Sequence, residues 1–383
     1  MRIAFVSDVV YPYVKGGVES MEASEMRELA KRNEVYCLSM RFPGMHERFV
    51  SHGVRHITVA QAPAHGLYTK RGTRSISAAE SFARGLEAAL SAPGMRFDVM
   101  QVNMFPYLHL GAATAYCMRT GCKLVMDVAE VWDSKRWTEY LGALRGRMAH
   151  YYVSTSRAVR GADFYIANSS STRDALVSLG IPGSKTAVFA PVLDMKYTRW
   201  RVRRKAHPMD VVIWGRLIKE KRIDMWLDAV AGARRLNRLV TGTIIGDGPE
   251  RRTIERRIRE LGLEGTVRLL PSIESRRALF GVIANSGVLL QMSEREGLSM
   301  TVLESLALGT PVILPNDTPI PREVKDMCEV SWIEDIPRKI VEVLEGSERR
   351  AYLPDMIELG RFSTAAIPRF YSQLFGKLRL PER

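Results

Sequence analysis

The stretch EREGLSMTVLESLALGTPVI, residues 294–313, reads as a loop, a helix and a strand in close succession. Gly297 lets the backbone come close to a ligand, and Ser299 and Thr301 are placed to cap the helix that follows. Gly309 and Pro311 then end that helix before VILP (312–315), a short apolar strand. The stretch is therefore the helix-to-strand half of an α/β repeat. Glu296 lies at the mouth of the helix and Glu304, eight positions on, lies within an apolar run.

The same repeat extends in both directions. Upstream come DVVIWGR (210–216), a helix over 222–236, VTGTIIGDGP (240–249), a helix over 250–261, TVRLL (266–270) and VLLQMS (288–293). An earlier series opens with RIAFVSD (2–8), the glycine turn YPYVKGG and the helical SMEASEMRELAKR. It continues through DVMQVN (98–103), KLVMDVAEVW (123–132) with a long helical stretch after it, DFYIANS (163–169) with a helix closed by Gly180, and TAVFAP (186–191). Apolar strands alternating with helices predict α/β domains with parallel sheets covered on both faces. Between the two series, KYTRWRVRRKAHP (196–208) holds six Lys or Arg residues and no acid. The expectation is two doubly wound, Rossmann-like domains, residues 1–195 and 210–360, joined by a basic linker at 196–209 and facing across a cleft that holds the ligand. FSTAAIPRFYSQLFGKL (362–378) reads as an amphipathic helix despite Pro368, and the segment 361–383 is expected to pack back on the first domain.

The 383 residues, 46% hydrophobic and 26% charged, suffice for two such cores. The net charge of +14 calls for an anionic partner: nucleic acid, a membrane surface or a phosphorylated small molecule. Cys37, Cys117, Cys122 and Cys328 show neither zinc-ribbon nor CxxC spacing and read as reduced thiols of a cytoplasmic protein. The opening MRIAFVSDVVYP lacks the apolar core and cleavage site of a signal peptide. No apolar run approaches the roughly 18–20 residues of a bilayer span, so membrane contact is expected to be peripheral, on the inner face.

Four elements point to chemistry. In 294–313 the exposed amides of a helix N-terminus suit a phosphate, while Glu296 and Glu304 would accept hydrogen bonds from sugar hydroxyls. A Thr301–Glu304 capping box, with Glu296 a solvated acid, explains the same spacing. Arg216 and Lys221, in GRLIKEKR (215–222), emerge at the carboxyl end of a strand, where two cations can hold a diphosphate or simply be solvated. IIGDGPE (244–250) is no GxGxxG fingerprint, because position 251 is Arg, and reads as a tight turn. Gly16 and Gly17 open a helix and permit close backbone approach, or form a plain turn.

Taken in order, VKGGVE, IANSSSTRDAL ahead of VFAPVLD, GRLIKEK, IIGDGPE and EREGLSMTVLESLALGTPVI with its E-x7-E pattern resemble glycosyltransferase family 4, the retaining group 1 transferases of GT-B fold. The resemblance implies that Arg216 and Lys221 hold a donor diphosphate and that Glu304 contacts the ribose. It places Glu296 at the transferred sugar, Gly297, Leu298 and Ser299 along sugar and phosphates, and Gly16 and Gly17 near the diphosphate. Glu296, Arg216 and Lys221 would carry catalysis, by a front-face displacement in which the departing phosphate helps deprotonate the acceptor. It implies a UDP- or GDP-sugar as substrate, no cofactor and no metal, and the sequence has no D-x-D pair.

Two departures stand out. A histidine common in the family after the strand matching KLVMDV is replaced by Ala129 or Glu130, and VFAPVLD has Pro191 and Val192 near a usual Asn-Gly. The basic, aromatic stretch 134–160, with Trp137, Tyr140 and Leu144, has the composition of a helix lying on an anionic membrane, which suggests a lipid or lipid-linked acceptor. The alternatives are a soluble acceptor, as for sucrose or glycogen synthases, or a sugar-nucleotide epimerase, which would lack the continuous E-x7-E. A nucleic-acid-binding protein would show a zinc finger, RNP aromatics or a helix-turn-helix, and none is present.

Overall fold

The computed structural model describes residues 1–14, 16–64, 66–67, 69, 73–194, 209–294, 296–346 and 353–380. The chain divides into two compact units, Met1–Val192 with Thr364–Arg383, and Leu193–Ser363. The basic linker expected at 196–209 lies, apart from Met209, outside the described residues.

The first unit is built on β1 (Arg2–Val6), β2 (Glu34–Arg41), β3 (Arg48–Ser51), β4 (Val54–Gln61), β5 (Val99–Asn103), β6 (Lys123–Val128), β7 (Phe164–Ala167) and β8 (Thr186–Val188). They form one sheet in the order β3-β4-β2-β1-β5-β6-β7-β8, parallel except for β3, which runs antiparallel to β4 at the edge. Strands such as RIAFV and KLVMDV are buried along nearly their whole length because helices cover both faces of a parallel sheet. The helices are α1 (Gly17–Leu29), α2 (Ile76–Ser91), α3 (Leu110–Thr120), α4 (Ser134–Leu141), α5 (Ala143–Thr155), α6 (Arg157–Arg160) and α7 (Ser170–Ser178). The sequence motifs say nothing of 34–97, which the fold fills with β2, β3, β4 and α2.

The long helix expected after Trp132 is instead three. Gly142, at φ 85° and ψ 165°, turns the chain between α4 and α5, and Ser156 caps the short α6 with its hydroxyl. Gly146 of α5 sits against α4 so closely that a Cβ there would lie 2.4 Å from the carbonyl oxygen of Trp137. Trp137, expected on a membrane, is buried among Trp132, Tyr107 and Tyr140.

The second unit holds β9 (Asp210–Trp214), β10 (Thr241–Ile245), β11 (Val267–Leu270), β12 (Val288–Leu290), β13 (Val312–Pro315) and β14 (Glu329–Ser331), all parallel, in the order β11-β10-β9-β12-β13-β14. Around it lie α8 (Ile223–Leu236), α9 (Arg251–Glu260), α10 (Arg276–Ala284), α11 (Met300–Ala307), α12 (Arg322–Lys325), α13 (Ile336–Glu345) and α14 (Met356–Gly360). The chain lays β10 and β11 to one side of β9 and then returns to place β12 on the other. That reversal parts the loops at the carboxyl ends of β9 and β12, and doubly wound sheets bind ligands at such a point.

The C-terminal helix α15 (Ile367–Lys377) belongs to the first unit. It starts later than the expected 362, so Pro368 falls in its first turn, where a missing N–H costs nothing. Phe370 stacks on Phe189 at 3.8 Å between ring centres, and the buried Tyr371 reaches Glu25 of α1 and Gln101 of β5.

Candidate functional site

Lys221 and Glu296 come from the two loops that the switch point parts. After β9, Gly215 (φ 135°), Arg216 and Leu217 lead into a single 3₁₀ turn, Lys219–Lys221, and Arg222 in the left-handed region starts α8. After β12 the chain runs through Gln291, Met292 and Ser293 toward α11. The loops are tied by the Glu294 N–H donating to the Glu220 carbonyl at 2.8 Å. The Lys221 ammonium lies 2.5 Å from Glu296 Oε1, with the two side chains 18% and 12% exposed. Gln291 Nε2 donates to the same oxygen at 2.6 Å and to Ser293 Oγ at 2.8 Å. A carboxylate fixed by an ammonium and an amide has a defined orientation, and its second oxygen completes its acceptor capacity.

The turn in IIGDGPE supports the first loop. Gly215 N–H donates to the Ile245 carbonyl at 2.9 Å, Leu217 N–H to that of Asp247 at 3.0 Å, and Glu250 N–H to that of Leu217 at 3.1 Å. Gly246 has φ 154°, and a Cβ there would sit 1.9 Å from the Gly215 carbonyl oxygen; one at Gly248 would sit 2.3 Å from that of Leu217. Both glycines are thus required by the close approach of the Arg216 loop. Arg216 itself is exposed.

Glu304 is buried in α11, where Arg276 at the start of α10 donates to its Oε1. Burial pushes the Glu304 carboxyl up to about 6, with the Arg276 charge pulling the other way. The capping box is therefore not formed by Glu304. Nor does Ser299 cap by its side chain: it is the N-cap residue at φ 62° and makes no side-chain cap bond, its hydroxyl meeting that of Thr301 at 3.0 Å. Gly297 and the buried Leu298 lie in the loop before it, and Glu294 is exposed.

In the first unit, Gly16 is extended at φ −134° and Gly17 begins α1, so Gly16 needs no left-handed backbone. The Glu19 carboxylate folds back over Gly16, where a Cβ would meet it at 2.1 Å. Nearby, after β1, the buried Asp8 receives the Arg74 guanidinium. Burial raises the Asp8 carboxyl and Arg74 opposes it. At the position of the absent histidine, Glu130 accepts from Trp132 Nε1 at 2.6 Å.

Two family models match the chain: "Glycosyl transferase 4-like domain" over residues 16–191 and "Glycosyl transferases group 1" over 195–354. The chain belongs to the group 1 glycosyltransferases. Among the curated relatives, WcaL of Salmonella typhimurium, a glycosyltransferase assigned to colanic acid biosynthesis, is 24% identical over 215 residues, 50% of this chain and 52% of its own. The GDP-mannose-dependent alpha-(1-6)-phosphatidylinositol dimannoside mannosyltransferase of Mycobacterium tuberculosis is 33% identical over 117 residues, 30% of either chain. LpsE of Rhizobium meliloti, a lipopolysaccharide core biosynthesis glycosyltransferase, is 27% identical over 174 residues, 43% of this chain and 49% of its own. The chain thus spans about half the length of these relatives, or less.

Solved structures cover the chain more fully. Sucrose-phosphate synthase of Thermosynechococcus elongatus matches 98% of both chains at a TM-score of 0.75 and 17% identity. Anabaena HepE, solved with UDP and glucose, matches 98% of this chain and 99% of its own at 0.67 and 16%. The fold of this group 1 chain is accordingly GT-B, with two parallel-sheet α/β domains.

Two residues of the site carry no motif. Gln291 was signalled only as a polar residue at the end of the apolar VLL, and Arg276 only by its partner, which sequence spacing does not reveal. The first unit hides a third feature: Glu22, Glu25 and Asp127 are buried together, tied by Asn103 to Glu22 at 3.0 Å and by Gln101 to Glu25 at 3.1 Å and Asp127 at 3.3 Å. Burial first, then the Asp127 charge, raises Glu22 and Glu25 well above the ordinary range; burial pushes Asp127 up to about 6. Gln101 and Asp127, polar within VMQVN and KLVMDV, were its sequence signal.

Proposed function

We propose that this protein is a retaining glycosyltransferase that moves a hexose-type sugar from a UDP- or GDP-sugar to a hydroxyl of a lipid, a lipid-linked sugar or a cell-surface glycan precursor. The observation that carries the reading is the Lys221–Glu296 pair at the switch point of the second sheet. A donor diphosphate at this point would draw the Lys221 ammonium and the Arg216 guanidinium to its oxygens. Glu296, still oriented by Gln291, would then accept from hydroxyls of the transferred sugar. Glu304 would accept from the ribose, and the amides at the start of α11, beside Gly297 and Leu298, would face the phosphates.

In the reaction the glycosidic C–O bond to the β-phosphate breaks as the acceptor oxygen attacks from the same face. Charge builds on the departing phosphate, where Lys221 and Arg216 stabilise it, and that phosphate takes the acceptor proton. Gly16 and Gly17 would be donor-binding residues of the first unit, which would also receive the acceptor. No step calls for a metal or cofactor. The relatives named for lipopolysaccharide core biosynthesis and for phosphatidylinositol dimannoside mannosyl transfer support a lipid or lipid-linked acceptor, and we propose that it is reached from the cytoplasmic face of the membrane.

A panel of UDP-, GDP- and ADP-sugars, scored by thermal shift and slow donor hydrolysis, tests the reading. At least one donor should stabilise the wild type and be hydrolysed. Lys221→Ala and Glu296→Ala should each lower hydrolysis by about 100-fold. A wild type that no nucleotide-sugar stabilises refutes it.

A further inference from the structure

We propose that α5 is a membrane-docking surface that seats the first unit on an anionic lipid bilayer. Apolar residues lie on both sides of this helix. Val153 and Gly146 face inward and are buried, whereas Leu144, Met148 and Tyr151 follow one another at i, i+4 and i+7 on the outside. They are 70%, 63% and 70% exposed, and Tyr152 extends the stripe. Arg145 and Arg147, both exposed, flank it on its two sides.

From Tyr140 to Ala162 the chain carries no acid, and the exposed Arg157 and Arg160 of α6 add to the same positive field. A stripe of large apolar side chains rimmed by arginines matches the boundary between acyl chains and anionic headgroups. It matches a second copy of this chain poorly, because a twofold contact of the face with itself would oppose its own arginines. Trp137 and Tyr140, the aromatics nearest in sequence, pack with Trp132 instead and leave α5 as the carrier of the surface. The proposal deepens the lipid-acceptor reading and rests on it for its purpose.

The test is co-sedimentation at low salt with phosphatidylcholine vesicles, with and without about one-third phosphatidylglycerol. The wild type should bind the anionic vesicles and not the neutral ones. Leu144→Ser, Met148→Ser and Tyr151→Ser together should weaken binding about tenfold or more. Arg145→Gln with Arg147→Gln should weaken it by on the order of 20-fold and flatten its salt dependence. Both variants should melt as the wild type does and keep its donor hydrolysis, since neither touches the Lys221–Glu296 site. No binding by the wild type, undiminished binding by both variants, or a self-association that these substitutions abolish would overturn the proposal. Loss of donor hydrolysis in every form, with vesicle binding still following α5, would instead refute the transferase reading and leave the surface standing.

Discussion

Glu304 is a buried carboxylate with a guanidinium beside it, and its proton decides what it can do. Its pKa in the folded chain, about 6, lies above the ordinary 4.5. Its contribution to stability is therefore full below about 4.5 and is lost as pH rises through about 6. In the proposed donor complex, ligand binding would carry the opposite sign, because the carboxylate would accept from two hydroxyls while the acid gives up acceptor capacity. Affinity for a nucleotide-sugar, whose phosphodiesters do not titrate here, should rise as pH passes through about 6. Arg276→Met should move that midpoint upward, and Glu304→Gln should remove the step; titration calorimetry between about pH 5 and 8 reads all three. The carboxylate itself was legible from E-x7-E. Arg276 was not, because α10 and α11 meet only in three dimensions.

At the scale of elements, the site depends on two loops that lean on each other. β9 and β10 pair in parallel with Ile245 opposite Trp214, which sets the turns that follow them side by side. Gly246→Ala would drive a methyl into the Gly215 carbonyl and should cost about 3 kcal/mol, roughly 10 °C in the melting temperature, with a larger loss of donor binding as Arg216 and Lys221 shift. Gly265→Ala supplies the comparison: its φ is also positive, at 75°, but nothing lies within 4 Å, so it should cost only about 1 kcal/mol. Differential scanning calorimetry of the pair separates backbone strain from collision. GRLIKEKR and IIGDGPE could each be read as a strand running into a turn from an apolar run and its glycines. Their mutual support could not, since it arises from strand pairing. Gly142 failed as a signal for the opposite reason: an isolated glycine in a helical pattern is often tolerated, and here it ends one helix and starts another.

Across the whole molecule, the two series of alternating strands and helices were enough to expect two parallel-sheet domains. The buried acids of the first unit were not foreseen, because α1 reads as an ordinary amphipathic helix. Tyr371 meets Glu25 Oε2 at 2.9 Å and Gln101 Oε1 at 2.8 Å, and a single phenolic hydrogen serves only one of them. The ring of bonds closes when Glu25 carries a proton and donates to Tyr371, which donates to Gln101. Glu22 and Asp127 face the same space and disfavour a second charge. Acids raised on folding stabilise below their unfolded pKa and lose that contribution as pH rises through the folded one. His56 and His109, lowered to about 4 by burial, act oppositely but are neutral in both states above about pH 7. Where the histidines no longer titrate, the urea midpoint should therefore fall as the pH rises, and Glu25→Gln, which keeps a donor toward Tyr371, should flatten the decline. Removal of divalent cations with a chelator should leave transfer unchanged, as expected of a site that works through Lys221 and Arg216.

The central claim is that Lys221 releases Glu296 to hold a donor diphosphate. Its most direct measurement is calorimetric titration of the nucleoside diphosphate of the preferred donor into the wild type and Lys221→Ala. Loss of one ammonium-to-phosphate contact predicts affinity weaker by about 10- to 100-fold in the variant, with its fold intact by circular dichroism. Equal affinities in the two proteins would contradict the account.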